Sequence, residues 1–139
     1  YERNFDGVLD VGVFRYTNNE STLFSNIIEL PEPIDIIDGI TEMSRSEVQR
    51  IYWEGIPVGS NEVVTIVILK DSFSHFLSVN DRNATFVELK KGELDENFLG
   101  QASITIERRI DVDADEASEA GGSLSSVWRS EEYAILITE

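Results

Sequence analysis

The chain has one histidine and no cysteine, which limits the chemistry that its side chains can perform. A triad of serine, histidine and aspartate would have to use His75, which lies among serines and phenylalanines in the segment 72–76. No serine lies in a nucleophile-elbow pattern, and a catalytic zinc site normally needs two or three histidines. We therefore predict that the chain is not an enzyme and that His75 is a strand-end or surface residue. A small hydrolase that uses His75 is the catalytic alternative.

A run of alternating aspartates is the feature closest to a metal-binding motif. Asp111, Asp113 and Asp115 alternate with other residues, and Glu116 follows. Calcium prefers carboxylate oxygens from a flexible loop, and this spacing is similar to the start of an EF-hand loop. Glu116 occupies the position where that loop needs glycine, and a glycine occupies the position of its bidentate glutamate. We expect either a calcium site of another kind, completed by Glu116 or Glu119, or a solvated acidic loop.

Two tryptophans are candidates for binding a ligand. Exposed tryptophans on a β-sheet can stack on sugar rings, whereas buried ones anchor a core. Trp53 follows isoleucine and tyrosine, and we expect it in the core. Trp128 lies between serine-rich and charged residues, and we expect it to be exposed and to mark a binding patch.

The formal charge of −16, from 27 acidic and 11 basic residues, limits the partners that the chain can bind. Such a field repels phosphate backbones and anionic lipids, so we predict no nucleic-acid binding. Acidic surfaces promote solubility, and they also fit a cation or a basic partner. Carboxylate pairs at glycosidase spacing arise by chance among so many acids, so they are no evidence of catalysis.

In the segments that must position these residues, apolar and polar side chains alternate with a period of two. In the segment 102–108, Ala102, Ile104 and Ile106 alternate with polar residues, which is typical of a strand with one buried face. The last strand repeats the pattern with Tyr133 and two isoleucines, and its other face is also apolar. Residues 63–69 are rich in β-branched side chains, which predicts a central strand.

Two segments permit helix as well as strand. Residues 44–47 fit a capping box and are followed by apolar residues at helical spacing, but the β-branched and aromatic residues up to position 53 favour a strand. Residues 92–100 fit one helical turn that would pin Leu94, Phe98 and Leu99 to the core.

We therefore expect one domain over residues 1–139, with residues 111–122 as a long acidic loop. The predicted fold is all-β: an antiparallel β-sandwich of seven to nine strands with at most one or two short helical turns. The strand spacing resembles an immunoglobulin-like or related Greek-key sandwich, although the Cys–Trp–Cys signature of antibody domains is absent. No apolar run approaches the ~18 residues of a membrane span.

The function that we expect is a non-catalytic, extracytoplasmic module for adhesion, with a protein or a glycan as partner. The composition resembles small exported envelope domains of Gram-negative bacteria, including lipoproteins, and this resemblance implies a secreted or cell-envelope location. One alternative is a structural subunit of a surface assembly, in which the arm of residues 1–16 adds a strand to a neighbour's sheet. The other is a calcium-stabilised domain that uses the acidic loop; otherwise we expect no cofactor.

Overall fold

The computed structural model describes residues 10–37, 40–118 and 121–139, and these residues form an all-β fold. Within the described part, no helix is long and apolar enough to cross a membrane. The strands, in chain order, are β1 (Val11–Thr17), β2 (Leu23–Glu29), β3 (Asp35–Ile36), β4 (Glu42–Ser44), β5 (Gln49–Glu54), β6 (Glu62–Lys70), β7 (Phe73–Val79), β8 (Phe86–Leu89), β9 (Gly100–Asp113), β10 (Ser123–Arg129) and β11 (Tyr133–Thr138).

Three sheets contain these strands. The largest is a half-barrel of six strands in the order β4-β11-β9-β6-β7, with β10 also paired to β9. A second sheet has the order β3-β5-β8, and β1 and β2 form a separate hairpin. The prediction of purely antiparallel pairing is wrong at one place, because β4 and β11 run parallel. Short β3 and β4 also raise the count of strands above the predicted seven to nine.

One hydrophobic core joins the two larger sheets. The predicted inward residues Ile104 and Ile106 are 1% and 0% exposed, and Ile135 and Ile137 lie in the same cluster. Trp53 on β5 is 4% exposed, which confirms its place in the core. Strand β6 pairs with β7 on one side and with β9 on the other, as expected of a central strand. Burial of these apolar side chains is the main force holding the sheets together.

Strand β9 carries two partners along one edge because the chain opposite it contains a bulge. Arg129 at the end of β10 pairs with Glu107, and Tyr133 at the start of β11 pairs with Ile104. The two paired positions are four residues apart along β10 and β11 but three residues apart along β9. The one extra residue forms a β-bulge. The hydroxyl of Ser130 accepts the N–H of Ile106 at this point, over 3.1 Å, so no buried donor is left unpaired.

The structure shows whether each of the two segments that permit helix as well as strand forms a helix or a strand. Residues 49–54 form β5, in agreement with their β-branched and aromatic content, and Gly55 ends it with a φ of 116°. A 3-10 turn spans Glu96–Phe98, and Leu94 and Phe98 are buried beside it, as predicted, whereas Leu99 is only half-buried.

The predicted loop of residues 111–122 is shorter than expected. Asp111 and Asp113 belong to β9, because this strand continues its pairing with β10 up to Ser123. The connection that remains is closed by a bond from the N–H of Ala114 to the carbonyl of Gly122. Residues 119 and 120 lie outside the described residues.

Polar contacts attach the hairpin β1–β2 to the body, and Ile28 of β2 is buried at 1% exposed. Asn26, which is 3% exposed, accepts the backbone N–H of Glu116 and donates to the carbonyl of the same residue, both over 2.8 Å. The carboxylate of Glu116 accepts the N–H of Ser25 over 2.6 Å. Ser126 on β10 donates to the carbonyl of Glu29. Residues 11–16 of the predicted N-terminal arm thus pair within their own chain, while residues 1–9 lie outside the described part.

Candidate functional site

A groove of about 420 Å³ lies between β7 and β8. Each of these strands is the last of its sheet, β7 beside β6 and β8 beside β5. They lie side by side, yet no backbone hydrogen bond between them is found in the part of the chain that the structure describes. Each strand therefore presents a row of unpaired N–H and C=O groups to the groove, and such a row is a template for another strand.

The connection between β7 and β8 explains why they do not form a hairpin. Asn83 adopts a φ of 69°, which asparagine tolerates better than most residues, and its N–H bonds to the carbonyl of Val58 over 2.8 Å. The N–H of Val58 bonds in turn to the carbonyl of Ala84 over 3.0 Å. Because Val58 is 1% exposed in the core, this anchor moves the chain from the six-stranded sheet to the three-stranded one.

Aromatic side chains surround the groove. Phe76, on the outer face of β7, is 61% exposed. Phe86 of β8 lies 5.4 Å from the ring of Tyr52, and the guanidinium group of Arg50 lies 4.7 Å above the ring of Phe86. Large aromatic and arginine side chains with partial exposure are typical of protein-binding surfaces.

The electrostatic character of the groove is acidic. The carboxylates of Asp81, Glu88 and Glu93 line it together with the single ammonium group of Lys90. Arg50 bonds to Glu88 over 3.3 Å, and hydrogen bonds to Glu88 and Tyr52 raise the pKa of this guanidinium group, so it stays charged. The carboxylates that line the groove outnumber its ammonium groups, so the lining has a net negative charge.

His75 lies next to this groove without a catalytic partner. Its Nε2 atom is buried with no hydrogen bond, and it lies 3.9 Å from a carboxylate oxygen of Glu93. The imidazole meets the ring of Phe98 edge-on at 6.1 Å. In the described ranges no hydrogen bond joins His75 to a serine hydroxyl, and the catalytic alternative stays a prediction.

Trp128 occupies a different position from the one expected. The indole is half-buried against the core, and its Nε1 donates to the carbonyl of Ile34 over 3.0 Å. The expectation of an exposed ring is therefore corrected, because the alternation of β10 turns Trp128 towards Arg108, its partner on β9. A ligand-binding role for Trp128 stays a prediction.

The acidic residues proposed to bind calcium are spread between two elements. Asp111 pairs with Arg109 over 2.9 Å, and Asp113 ends β9. Asp115 is exposed, whereas Glu116 bonds to Ser25 and thereby fixes the hairpin. In residues 10–37, 40–118 and 121–139, no group of three acidic or histidine side chains has the arrangement of a metal site. Glu119 lies outside those ranges, and the calcium hypothesis stays a prediction.

Sequence reasoning missed two features that the structure makes prominent. Asn26 is buried although asparagine is mostly a surface residue, and its partner Glu116 is 90 residues away along the chain. The unpaired edges of β7 and β8 depend on which strands become neighbours, and a single strand's pattern does not encode that. The run of asparagine and aspartate at 80–83 was the only local signal, and it indicated a turn rather than a crossing between sheets.

Comparison of the chain with known protein families, curated proteins and solved structures yields no match. The geometry of the groove therefore carries the functional argument alone.

Proposed function

We propose that this chain is a non-catalytic protein-binding module that accepts an extended segment of a partner along the free edge of β7. The observation that carries the proposal is the groove between β7 and β8, where two unpaired strand edges lie beside each other. An added strand satisfies backbone donors and acceptors on the edge, which supplies affinity, while alternate side chains enter the groove and supply specificity.

The lining of the groove defines the chemistry of the partner. Phe76 and Phe86 favour apolar side chains at alternate positions of the added strand. The excess of carboxylates over ammonium groups favours lysine or arginine at the positions between them. A glycan is the weaker candidate, because the indole that would stack on a sugar is half-buried and bonded to Ile34.

The fold and location belong to the same proposal. We treat the two larger sheets as the layers of a sandwich, because one cluster of buried residues has members from both. The proposal of an extracytoplasmic, secreted or envelope location rests on the resemblance of the composition to small exported envelope domains. Fractionation of cells that express the native protein tests the location, and recovery in the cytoplasm alone would contradict it.

The binding proposal is tested with a synthetic eight-residue peptide that alternates valine and lysine, labelled with a fluorophore for anisotropy. We expect saturable binding to the wild-type chain and affinity weaker by about tenfold or more in Phe76→Asp, because a charge replaces the exposed ring beside the groove. Val48→Asp is the matched control, since Val48 is 59% exposed but does not line the groove.

Two results would contradict the proposal. One is an absence of saturable binding to the wild-type chain; the other is equal affinity in Phe76→Asp and in the control. A peptide that alternates valine and glutamate, which the acidic groove should reject, separates groove binding from non-specific adhesion of strands.

A second candidate function is that of a structural subunit in a surface assembly. The observation in its favour is the outer edge of β1, which pairs with no other strand among the described residues. This candidate shares the mode of binding with the first and differs in the identity of the partner.

A further inference from the structure

We propose that the strand accepted by β7 is β1 of a second copy of the chain, so that copies associate head to tail. This inference rests on the function proposed above and adds the identity of the partner. It follows from a comparison of the free strand edges, of their charges and of the apolar side chains beside them.

Most of the edges that the structure describes are short or covered. Strand β4 has three residues and begins with Glu42, β3 has two and begins with Asp35, and β8 has four, including Glu88. The facing edges of β2 and β10 are bridged by the bond from Ser126 to the carbonyl of Glu29. Short strands, charges and coverage are the usual protection against pairing with another chain.

Strands β1 and β7 lack this protection. Each has seven residues, and neither contains proline, lysine or an acidic residue. Their equal length allows a ladder along the whole of both strands.

Charge favours the pairing of β1 with β7 over other combinations. The two strands together carry one formal charge, that of Arg15, in a chain whose net charge is −16. These two strands therefore add no negative charge of their own to the repulsion between copies. Asp81, Glu88 and Glu93 beside β7 attract Arg15 when β1 is the added strand. Pairing of β1 with a second β1 would bring two positive charges together without a carboxylate on either strand.

Apolar side chains accompany both edges. Val11 and Val13 of β1 are 50% and 52% exposed; on β2, Ile27 opposite Val13 is 62% exposed, and Leu23 at the far end of the same face is 61% exposed. We call these four residues the hairpin face. Phe76 of β7 is 61% exposed. A ladder between β1 and β7 places alternate residues of β1 beside Phe76 and removes part of this apolar surface from water.

Such a contact does not close into a symmetric dimer. The donor and acceptor edges are different parts of the molecule, so each added copy leaves one β1 and one β7 unpaired at the ends. We therefore expect species larger than a dimer, whose proportion increases with concentration.

Sedimentation velocity of the full chain over a range of concentrations tests the proposal. Val13→Asp removes the donor function and Phe76→Asp the acceptor function, and we expect each variant alone to associate more weakly by about tenfold or more. An equimolar mixture of the two should form a one-to-one dimer and stop there, because the mixture holds one intact donor and one intact acceptor. Val11→Asp and Ser78→Asp repeat the test at neighbouring positions, Val48→Asp is the control, and circular dichroism verifies that each variant folds.

Each other outcome overturns the inference. Dimers that persist in Phe76→Asp alone indicate pairing of β1 with β1, and dimers that persist in Val13→Asp alone indicate pairing of β7 with β7. A wild-type chain that stays monomeric but binds the valine–lysine peptide at β7 contradicts this inference and leaves the proposed function standing. A chain that does neither contradicts both.

Discussion

Arg108 is unusual because it is a charged side chain buried in the interior. It is 0% exposed on β9, and burial lowers the pKa of its guanidinium group, although that group remains charged. Nη2 donates to the carbonyls of Ile56 and Pro57, and Nε lies 3.6 Å from the carboxylate of Glu62. Nε and Nη1 make no hydrogen bond, so the charge is only partly compensated. Arg109 faces the opposite side and is exposed, as the alternation of the strand predicts.

We expect Arg108→Ala to lower the free energy of unfolding by about 3–5 kcal/mol, because it opens a cavity, removes a donor from the carbonyls of Ile56 and Pro57 and removes the cation beside the carboxylate of Glu62. Arg108→Met should lower it by less than half as much, since an apolar side chain fills the space. Glu62→Gln retains an acceptor for the N–H of Gly59 but removes the negative charge beside Arg108, so we expect it to lower the free energy of unfolding as well. Urea unfolding measures all three, and an Arg108→Met variant as unstable as Arg108→Ala would contradict this account.

A substitution of His75 tests whether the imidazole has a structural role. Because its Nε2 has no hydrogen bond and its ring lies against Phe98, we expect His75→Phe to change stability by less than about 1 kcal/mol. The melting temperature measures the effect. A loss of more than about 2 kcal/mol would mean that the imidazole holds a structural bond, for example to Glu93.

The hairpin is the element whose attachment differs most from the rest of the fold. Two-stranded hairpins are marginally stable alone, and this one buries Ile28 and makes hydrogen bonds to the body through Asn26, Glu116 and Ser126. The four residues of the hairpin face stay exposed in the single chain. Because its apolar face is exposed in the single chain, we propose that the hairpin is the element that pairs most readily with a second copy.

Asn26→Leu tests the attachment. The change retains the size of the side chain and removes two hydrogen bonds to the backbone of Glu116, so we expect a loss of about 2–3 kcal/mol at the hairpin. Hydrogen exchange should show faster amides in β1 and β2 and unchanged amides in β6 and β9. Glu116→Gln, which keeps an acceptor for Ser25, should have a smaller effect. Equal acceleration in all four strands would show that the hairpin unfolds only with the whole domain.

At the scale of the whole molecule, local sequence patterns predicted where the strands lie better than they predicted which strands pair with each other. The alternation in residues 102–108 identifies β9 and its buried face, because period two is a property of one strand. The parallel pairing of β4 with β11 joins positions about ninety residues apart, and no local pattern encodes it. The same reason explains why Trp128 was placed at the surface: its burial depends on the carbonyl of Ile34, which another element supplies.

For the candidate site, too, the sequence predicted the local turn but not the contacts between distant elements. The turn at 80–83 was predicted, whereas the groove it creates depends on the anchor at Val58. The charge of −16 predicted a basic partner as one of two interpretations, and the groove is the place where we propose that such a partner binds.

The central claim is that the free edge of β7 accepts an extended strand, and nuclear magnetic resonance tests it most directly. The chain, labelled with nitrogen-15 and kept dilute, is titrated with the unlabelled valine–lysine peptide. The account predicts that the largest amide shifts fall in β7 and β8, with small shifts in β4 and β10. Shifts confined to other strands, or none at saturating peptide, would contradict it.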